Sequence, residues 1–183
     1  MTARLLTSRL VLDAPAEEDI PDVLAACQDP ETQAWVPLPS PYTLESAEFF
    51  VRSYCPHGLA SRRYTVWALH PREGGRLLGA LEVRRDERPG SASLGCWLAP
   101  WARGRGYMRE ALTEVARYAL DPDGLGFEVL NWEYVPGNEA SRRLAEAAGF
   151  SFGEGDGTRT SVTLHGEVRE ARVGTLRRDD VGR

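Results

Sequence analysis

A glycine-punctuated turn between a strand and a long amphipathic helix constrains this chain more than any other feature. Ser91 to Leu98 reads as a strand, and Trp101-Ala102-Arg103-Gly104-Arg105-Gly106-Tyr107-Met108 follows it. Met108, Ala111, Leu112, Val115, Ala116 and Ala119 then recur at the spacing of one buried helical face. Glu110, Thr113, Glu114 and Arg117 fall on the other face. Two glycines let the backbone approach a ligand without Cβ interference. The helix points its free N–H groups and positive dipole end into the turn. Phosphate suits such a place, and Arg103 and Arg105 add positive charge. No Gly-Lys-Ser/Thr follows, so the turn is not a Walker loop, and it lacks the third glycine of a dinucleotide fingerprint. A plain Arg/Gly surface turn stays open at this point, as does, more remotely, an RNA-binding Arg-Gly tract.

A second motif lies some thirty residues on, Asn138-Glu139-Ala140-Ser141-Arg142-Arg143-Leu144-Ala145-Glu146-Ala147-Ala148-Gly149-Phe150. Asn138 suits an N-cap, Glu139 the first turn and Gly149 the C-terminal stop. Ser141, Leu144, Ala145 and Ala148 share a face, so Ser141 opens an apolar inward face with a hydroxyl that needs a partner. That partner is either its own helix backbone or a ligand.

Together these motifs resemble the GNAT superfamily of acetyl-CoA-dependent N-acetyltransferases, and within it the branch containing the ribosomal-protein N-terminal acetyltransferases. The resemblance rests on Arg103-x-x-Gly106, the later Asn-x-x-Ser-x-Arg and Gly-Phe, the opening Thr7-x-Arg9-Leu10-x-Leu12, and Leu94-Gly95-Cys96-Trp97-Leu98. It runs from about Thr7 to Leu176. It implies that backbone groups of Leu98 and Ala99 hold a pantetheine arm like an added strand. The turn of Arg103, Gly104, Arg105, Gly106, Tyr107 and Met108 would hold the pyrophosphate. Asn138 and Arg143 also stand at cofactor positions, although either also reads as a cap or a surface charge. Ser141 stands where relatives place a hydroxyl near the sulfur, and Ala145 where other branches carry a tyrosine. The chain departs from the pattern at Met108 (usually Gly or Ala), Cys96 (usually Tyr), Ala147 (commonly Lys), and Ser93 and Asn131 (glutamate in many relatives). Met108→Ala is therefore expected to be tolerated, unless the methionine fills a core gap.

Acyl transfer from a thioester needs a neutral amine, a polarised carbonyl and protonation of the departing thiolate. Ser141 is the candidate for the last task. Glu82 and Glu133, both in strands, are candidates for the base, and water is the alternative. The acceptor is a primary amine, either a protein N-terminus or a small molecule such as an antibiotic or polyamine. A non-catalytic acyl-CoA-binding module is the rival class. The aromatic and apolar residues Trp35, Val36, Pro37, Leu38 and Tyr42 either line an acceptor site or pack on the core.

The bulk properties agree with a soluble enzyme. The 183 residues suit a single domain spanning 1–183. The net charge of -5 argues against a general nucleic-acid binder. Cys27, Cys55 and Cys96 are scattered and read as reduced thiols. His57, His70 and His165 show no metal spacing, so no metal is expected. No signal or membrane-spanning segment is visible, so the expected location is cytoplasmic, as a monomer or homodimer.

The element pattern predicts an α/β (α+β) fold with a mixed, mostly antiparallel sheet of about seven strands and about four helices. Strands are expected at Arg9 to Asp13, Tyr64 to Leu69, Leu77 to Arg84, Ser91 to Leu98, Glu128 to Tyr134, Phe150 raggedly to Leu164, and Val168 to Leu176. Helices are expected from Pro15 to Gln28, from Thr43 to a stop at Pro56, after Gly106, and after Asn138. Trp35 to Tyr42 reads as a Pro-rich loop, and His165-Gly166 as a hairpin turn.

Overall fold

A computed structural model describes residues 2–153 and 158–180. Its strands are β1 (Leu5–Leu6), β2 (Leu10–Asp13), β3 (Tyr64–Pro71), β4 (Gly79–Arg85), β5 (Ser91–Leu98), β6 (Val129–Tyr134), β7 (Thr158–Leu164) and β8 (Glu167–Arg177). They form one sheet in the order β1-β2-β3-β4-β5-β6-β8-β7. Among the described residues only β5 and β6 pair in parallel. A parallel pair needs a crossover, and the amphipathic helix α5 (Tyr107–Leu120) supplies it. The other helices are α1 (Ile20–Cys27), α2 (Pro30–Trp35), α3 (Leu44–Phe49), α4 (Cys55–Ser61) and α6 (Glu139–Ala147).

The fold class is the expected one, with eight strands instead of about seven and with additional helix. β1 is a two-residue edge strand, too short to carry a periodicity. α2 is also short; the Asp29 carboxylate caps it by accepting from the Thr32 amide at 2.9 Å, with Pro30 in its first turn. Pro56 does not stop the second helix. A wide turn over Phe50–Tyr54 lets the Cys55 N–H reach the Phe50 carbonyl, and Pro56 then falls in the first turn of α4, where its missing donor is not needed. Between Phe150 and Phe152 only Ser151 joins the sheet, through a bridge to Thr175. The ragged continuation expected after it runs through 154–157, outside the described residues. His165 and Gly166 both have positive φ, 52° and 79°, as a two-residue hairpin turn requires.

The sheet is covered on both faces. On one, Ala111, Leu112, Val115 and Ala119 of α5 are fully buried in a cluster with Leu10, Leu12, Trp67, Leu81 and Leu130. Each leucine so buried contributes about 1.5–3 kcal/mol. On the other, Ile20, Val23 and Cys27 of α1 pack with Ala47, Val51 and Ala68. Met108 is 4% exposed and belongs to the α5 core cluster, so it fills space as well as standing in the turn.

The opening Thr7-x-Arg9 motif has a physical role. Glu110, on the first turn of α5, accepts from the Thr7 hydroxyl, the Arg9 amide at 2.8 Å and the Arg9 guanidinium at 2.6 Å. Arg9 also donates to the Arg105 carbonyl at 2.9 Å and covers the Tyr107 ring. The start of β2 is thereby fastened to the glycine turn. Desolvation opposes ionisation of Glu110, but the bonds from Thr7, Arg9 and Ser8 prevail and hold its carboxyl at about 2.

Two outcomes follow. A depressed folded-state pKa means that the stability from Glu110 is complete above the ordinary value of 4.5 and is lost as pH falls toward about 2. Urea unfolding at stepped acidic pH should show this limb flattened in Glu110→Gln; an unchanged limb would assign it to other carboxylates. Met108→Ala should lower stability by about 2–5 kcal/mol, as for other buried large-to-small changes, without raising acetyl-CoA affinity. A melt of the variant with and without acetyl-CoA checks both.

Candidate active site

The ladder between β5 and β6 runs from Ser91↔Val129 to Leu94↔Trp132 and ends there. Beyond it β5 stays paired with β4 as far as Leu98↔Gly79, while β6 stays paired with β8 as far as Tyr134↔Arg172. The two strands therefore part, and a cleft of about 1290 Å³ opens at the gap. The Ala99 amide donates to the Leu78 carbonyl at 2.9 Å, and the Ala99 carbonyl accepts from Ala102 at 2.9 Å. Alternate residues of an antiparallel strand turn their backbone groups to the same side. Ala99 and Trp97 thus serve β4 and its flanks, while Cys96 and Leu98 face the gap. Of the expected pair Leu98 and Ala99, only Leu98 has backbone groups toward the cleft; Cys96 is the further one. Burial pushes the Cys96 thiol up to about 12, so it stands at the cleft as neutral S–H.

The glycine turn forms the next wall. Gly104 and Gly106 have φ of 74° and 75°. A Cβ at Gly104 would meet nothing within 4 Å, and one at Gly106 only the Arg9 guanidinium at 3.6 Å. No side chain caps α5, and the first helical bond at its start is from the Glu110 amide to the Gly106 carbonyl. The preceding amides thus remain available for an anion. Arg105 is exposed at the turn. Arg103 behaves differently: its guanidinium donates to Asp29 at 2.6 Å, Glu31 at 2.7 Å and Thr32 at 2.8 Å, all at the start of α2. Tyr107 lies half-buried under Arg9, and Arg143 is exposed on α6.

α6 brings the third wall. Asn138 caps it, its Oδ1 accepting from the Ser141 amide at 3.1 Å. The Ser141 hydroxyl oxygen accepts from the Trp132 indole N–H at 3.0 Å. The Ser141 partner is therefore neither its own helix backbone nor only a ligand, but an indole on β6. With one lone pair so occupied, the hydroxyl hydrogen is left to donate elsewhere, and Ser141 lines the cleft.

Glu82 and Glu133 also line it, from β4 and β6. Glu82 lies opposite Gly95, where an added Cβ would enter open space. Both Glu82 oxygens are engaged, one accepting from the Tyr54 hydroxyl at 2.6 Å and the other from Arg84 at 2.8 Å. Glu133 keeps an exposed edge, but desolvation within the cleft and then repulsion from Asp86 raise its carboxyl above the ordinary range. Ser93 and Asn131, the positions without the glutamates of many relatives, both donate to Asp86, at 2.6 and 2.7 Å. A carboxylate thus reaches this corner from the β4–β5 turn. Tyr54, Asp86 and Trp132 are functional neighbours to which no sequence motif points. Their roles depend on contacts spanning 28, 45 and 9 residues.

The chain's residues 9–151 match the family model for the acetyltransferase (GNAT) domain. The chain belongs to the GNAT acetyltransferase family. A GNAT fold is also what the structural comparisons return. A proposed ribosomal-protein-serine acetyltransferase from Vibrio cholerae superposes with a TM-score of 0.82 at 21% identity, covering 97% of this chain and 99% of that one. The ribosomal L7/L12 alpha-N-protein acetyltransferase RimL, in complex with coenzyme A, gives 0.78 at 16% identity, covering 94% and 96%. The microcin C7 self-immunity acetyltransferase MccE, in complex with acetyl-CoA and AMP, gives 0.77 at 13%, covering 93% of each. A comparison with curated protein sequences finds no match. Among the described residues no group of three or more His, Cys, Asp or Glu is placed to hold a metal ion, and no helix is long and apolar enough to cross a membrane.

Gly106→Val should lower acetyl-CoA affinity by at least about tenfold, since a branched side chain both strains a positive φ and fills the approach to the amides. Calorimetry on the folded variant reads this directly; unchanged affinity would remove the turn from the cofactor site.

Proposed function

We propose that this GNAT protein transfers the acetyl group of acetyl-CoA to a primary amine, with a protein N-terminus as the preferred acceptor and a small amine as the alternative. One observation carries the reading. The parted β5 and β6 strands, the uncapped glycine turn and a hydroxyl with a free donor all border the same cleft.

The residues divide the work as follows. Backbone groups of Leu98 and Cys96 extend the ladder to the amides of the pantetheine arm. The amides from Gly104 to Met108 receive the pyrophosphate, and Arg105 supplies charge, with Arg143 on the neighbouring helix. Asn138 keeps α6 capped and so holds Ser141 in place. Glu133, raised by its surroundings, suits a base that takes the proton from the incoming ammonium. Glu82, held by Tyr54 and Arg84, suits a fixed acceptor of the amine's hydrogen bonds. As the new C–N bond forms and the C–S bond breaks, Ser141 donates toward the departing sulfur, with Trp132 fixing its rotamer.

The mouth of the cleft favours a peptide. Val36, Pro37, Leu38 and Phe49 line it, and Phe49 is 60% exposed. Such a surface accepts an apolar side chain next to a terminal amine better than it accepts a polyamine. Cys27 and Cys55 are buried free thiols, as suits a reducing compartment, and the proposed place of action is the cytoplasm. The protein acts as one domain, as a monomer or a homodimer.

The decisive experiment is release of free CoA thiol across a panel of amines that includes peptide N-termini. Tight acetyl-CoA binding without turnover on any amine would overturn the proposal. With the best acceptor, Ser141→Ala should lower turnover at saturating acetyl-CoA by about 10²-fold or less, the low end of general-acid effects because thiolate leaves readily. Acetyl-CoA affinity should stay nearly constant. An unchanged turnover number, with chemistry limiting, would leave Ser141 only its bond to Trp132.

A further inference from the structure

Arg103 opens the motif of the glycine turn and lines the cleft, yet its guanidinium is engaged by carboxylates of another segment. All of its hydrogen bonds go to the first turn of α2, more than seventy residues away in sequence. One nitrogen bridges the Asp29 carboxylate and the Thr32 hydroxyl, and the other takes Glu31. Desolvation opposes ionisation of Asp29, but the Arg103 bond and the Thr32 amide keep its carboxyl below the ordinary range. The segment so gripped lines the cleft through Glu31 and through Trp35 to Pro39, the side that the proposed function gives to the acceptor. Trp35, at the end of α2, reaches within 3.7 Å of where a Cβ on Gly137 would stand, just before the Ser141 helix. Gln33 ties α2 to the end of α1 through the Cys27 carbonyl and to the Pro-rich loop through the Pro39 carbonyl. Its own carbonyl accepts from His165 of the β7–β8 hairpin. The segment is therefore tied to the hairpin and to the glycine turn, and also to α1 through the Gln33–Cys27 and Gln28–Tyr42 bonds.

We propose that Arg103 is a positioning residue for the acceptor site, a strut that holds α2 and the Pro-rich loop along the cleft and couples them to the cofactor turn. The phosphate site then depends on backbone amides and Arg105. Because coupling between two sites is reciprocal, a cofactor that orders the turn also steadies this segment, and an acceptor against the segment tightens cofactor binding. Lysine cannot replace the strut, since a point charge does not span two carboxylates and a hydroxyl.

The kinetic part of this proposal rests on the acetyltransferase reading; the structural part does not. Hydrogen exchange of the apo protein should be faster over 29–42 in Arg103→Ala. Asp29→Asn should act in the same direction, because asparagine still caps α2 but no longer pairs with the guanidinium. Calorimetry should find acetyl-CoA affinity of Arg103→Ala within about threefold of wild type, while KM for the best peptide acceptor rises by about tenfold, within the usual range of coupling between sites. Arg103→Lys should restore little of that KM. A loss of acetyl-CoA affinity of about tenfold or more in Arg103→Ala would return the side chain to the phosphate site and overturn the proposal. Unchanged exchange over 29–42 in both variants would overturn it as well. Failure of the wild-type protein to bind acetyl-CoA would count against the proposed function, and the exchange measurements would still decide the strut.

Discussion

The parting of β5 from β6 after Leu94↔Trp132 is the constraint on which the rest of the structure depends. A sheet normally satisfies every interior backbone group, and an interruption leaves polar groups without partners. Here each strand keeps its other neighbour, so the sheet stays continuous behind the gap while the front of it stands open. α5 starts beside the opening and α6 follows the far strand, so both helix starts are delivered to the same cleft by topology. The parallel pairing is what makes this possible, because it forces the chain to cross over through α5 before β6 can form.

Around that opening, charge is arranged by long-range contacts more than by local sequence. Asp86 gathers Ser91, Ser93 and Asn131. Tyr54 and Arg84 hold Glu82. Bonds to ionised groups are stronger than neutral ones and fix geometry as well as charge. The effect is to separate Glu82 and Glu133 in character: both Glu82 oxygens are engaged, whereas Glu133 is raised by desolvation and by Asp86. Two carboxylates held in different environments can take different tasks in one proton-transfer sequence.

The turn and the α2 segment show how one basic motif can serve two ends. Arg105 stays exposed, while Arg103 is drawn into a charge-assisted fork with α2. Arg9 adds a second tie, from the start of β2 into the same turn through Glu110 and the Arg105 carbonyl. A turn held from two sides can keep its glycines in positive φ with amides exposed, a conformation that isolated chain would not hold against its entropy.

Periodicity and turn chemistry made most of the fold legible: the α5 face, the cap at Asn138, the hairpin at His165-Gly166 and the strands β3, β4 and β5 all follow from local rules. So did the glycine turn, because positive φ and an uncapped helix start are properties of a few adjacent residues. Short elements were not legible. β1 and α2 are too brief to carry a pattern, and the wide turn before Pro56 depends on one displaced hydrogen bond. The partners of functional side chains were also beyond sequence, since distance along the chain says nothing about distance in space. The α2 partners of Arg103 and the Trp132 partner of Ser141 carry no local signal. Asp86 has no motif at all until Ser93 and Asn131 converge on it. Sequence by itself determined the elements and the turn, because backbone conformation is a local preference. Only tertiary structure decided which charge faces which partner, because that choice is made by the packing of the sheet.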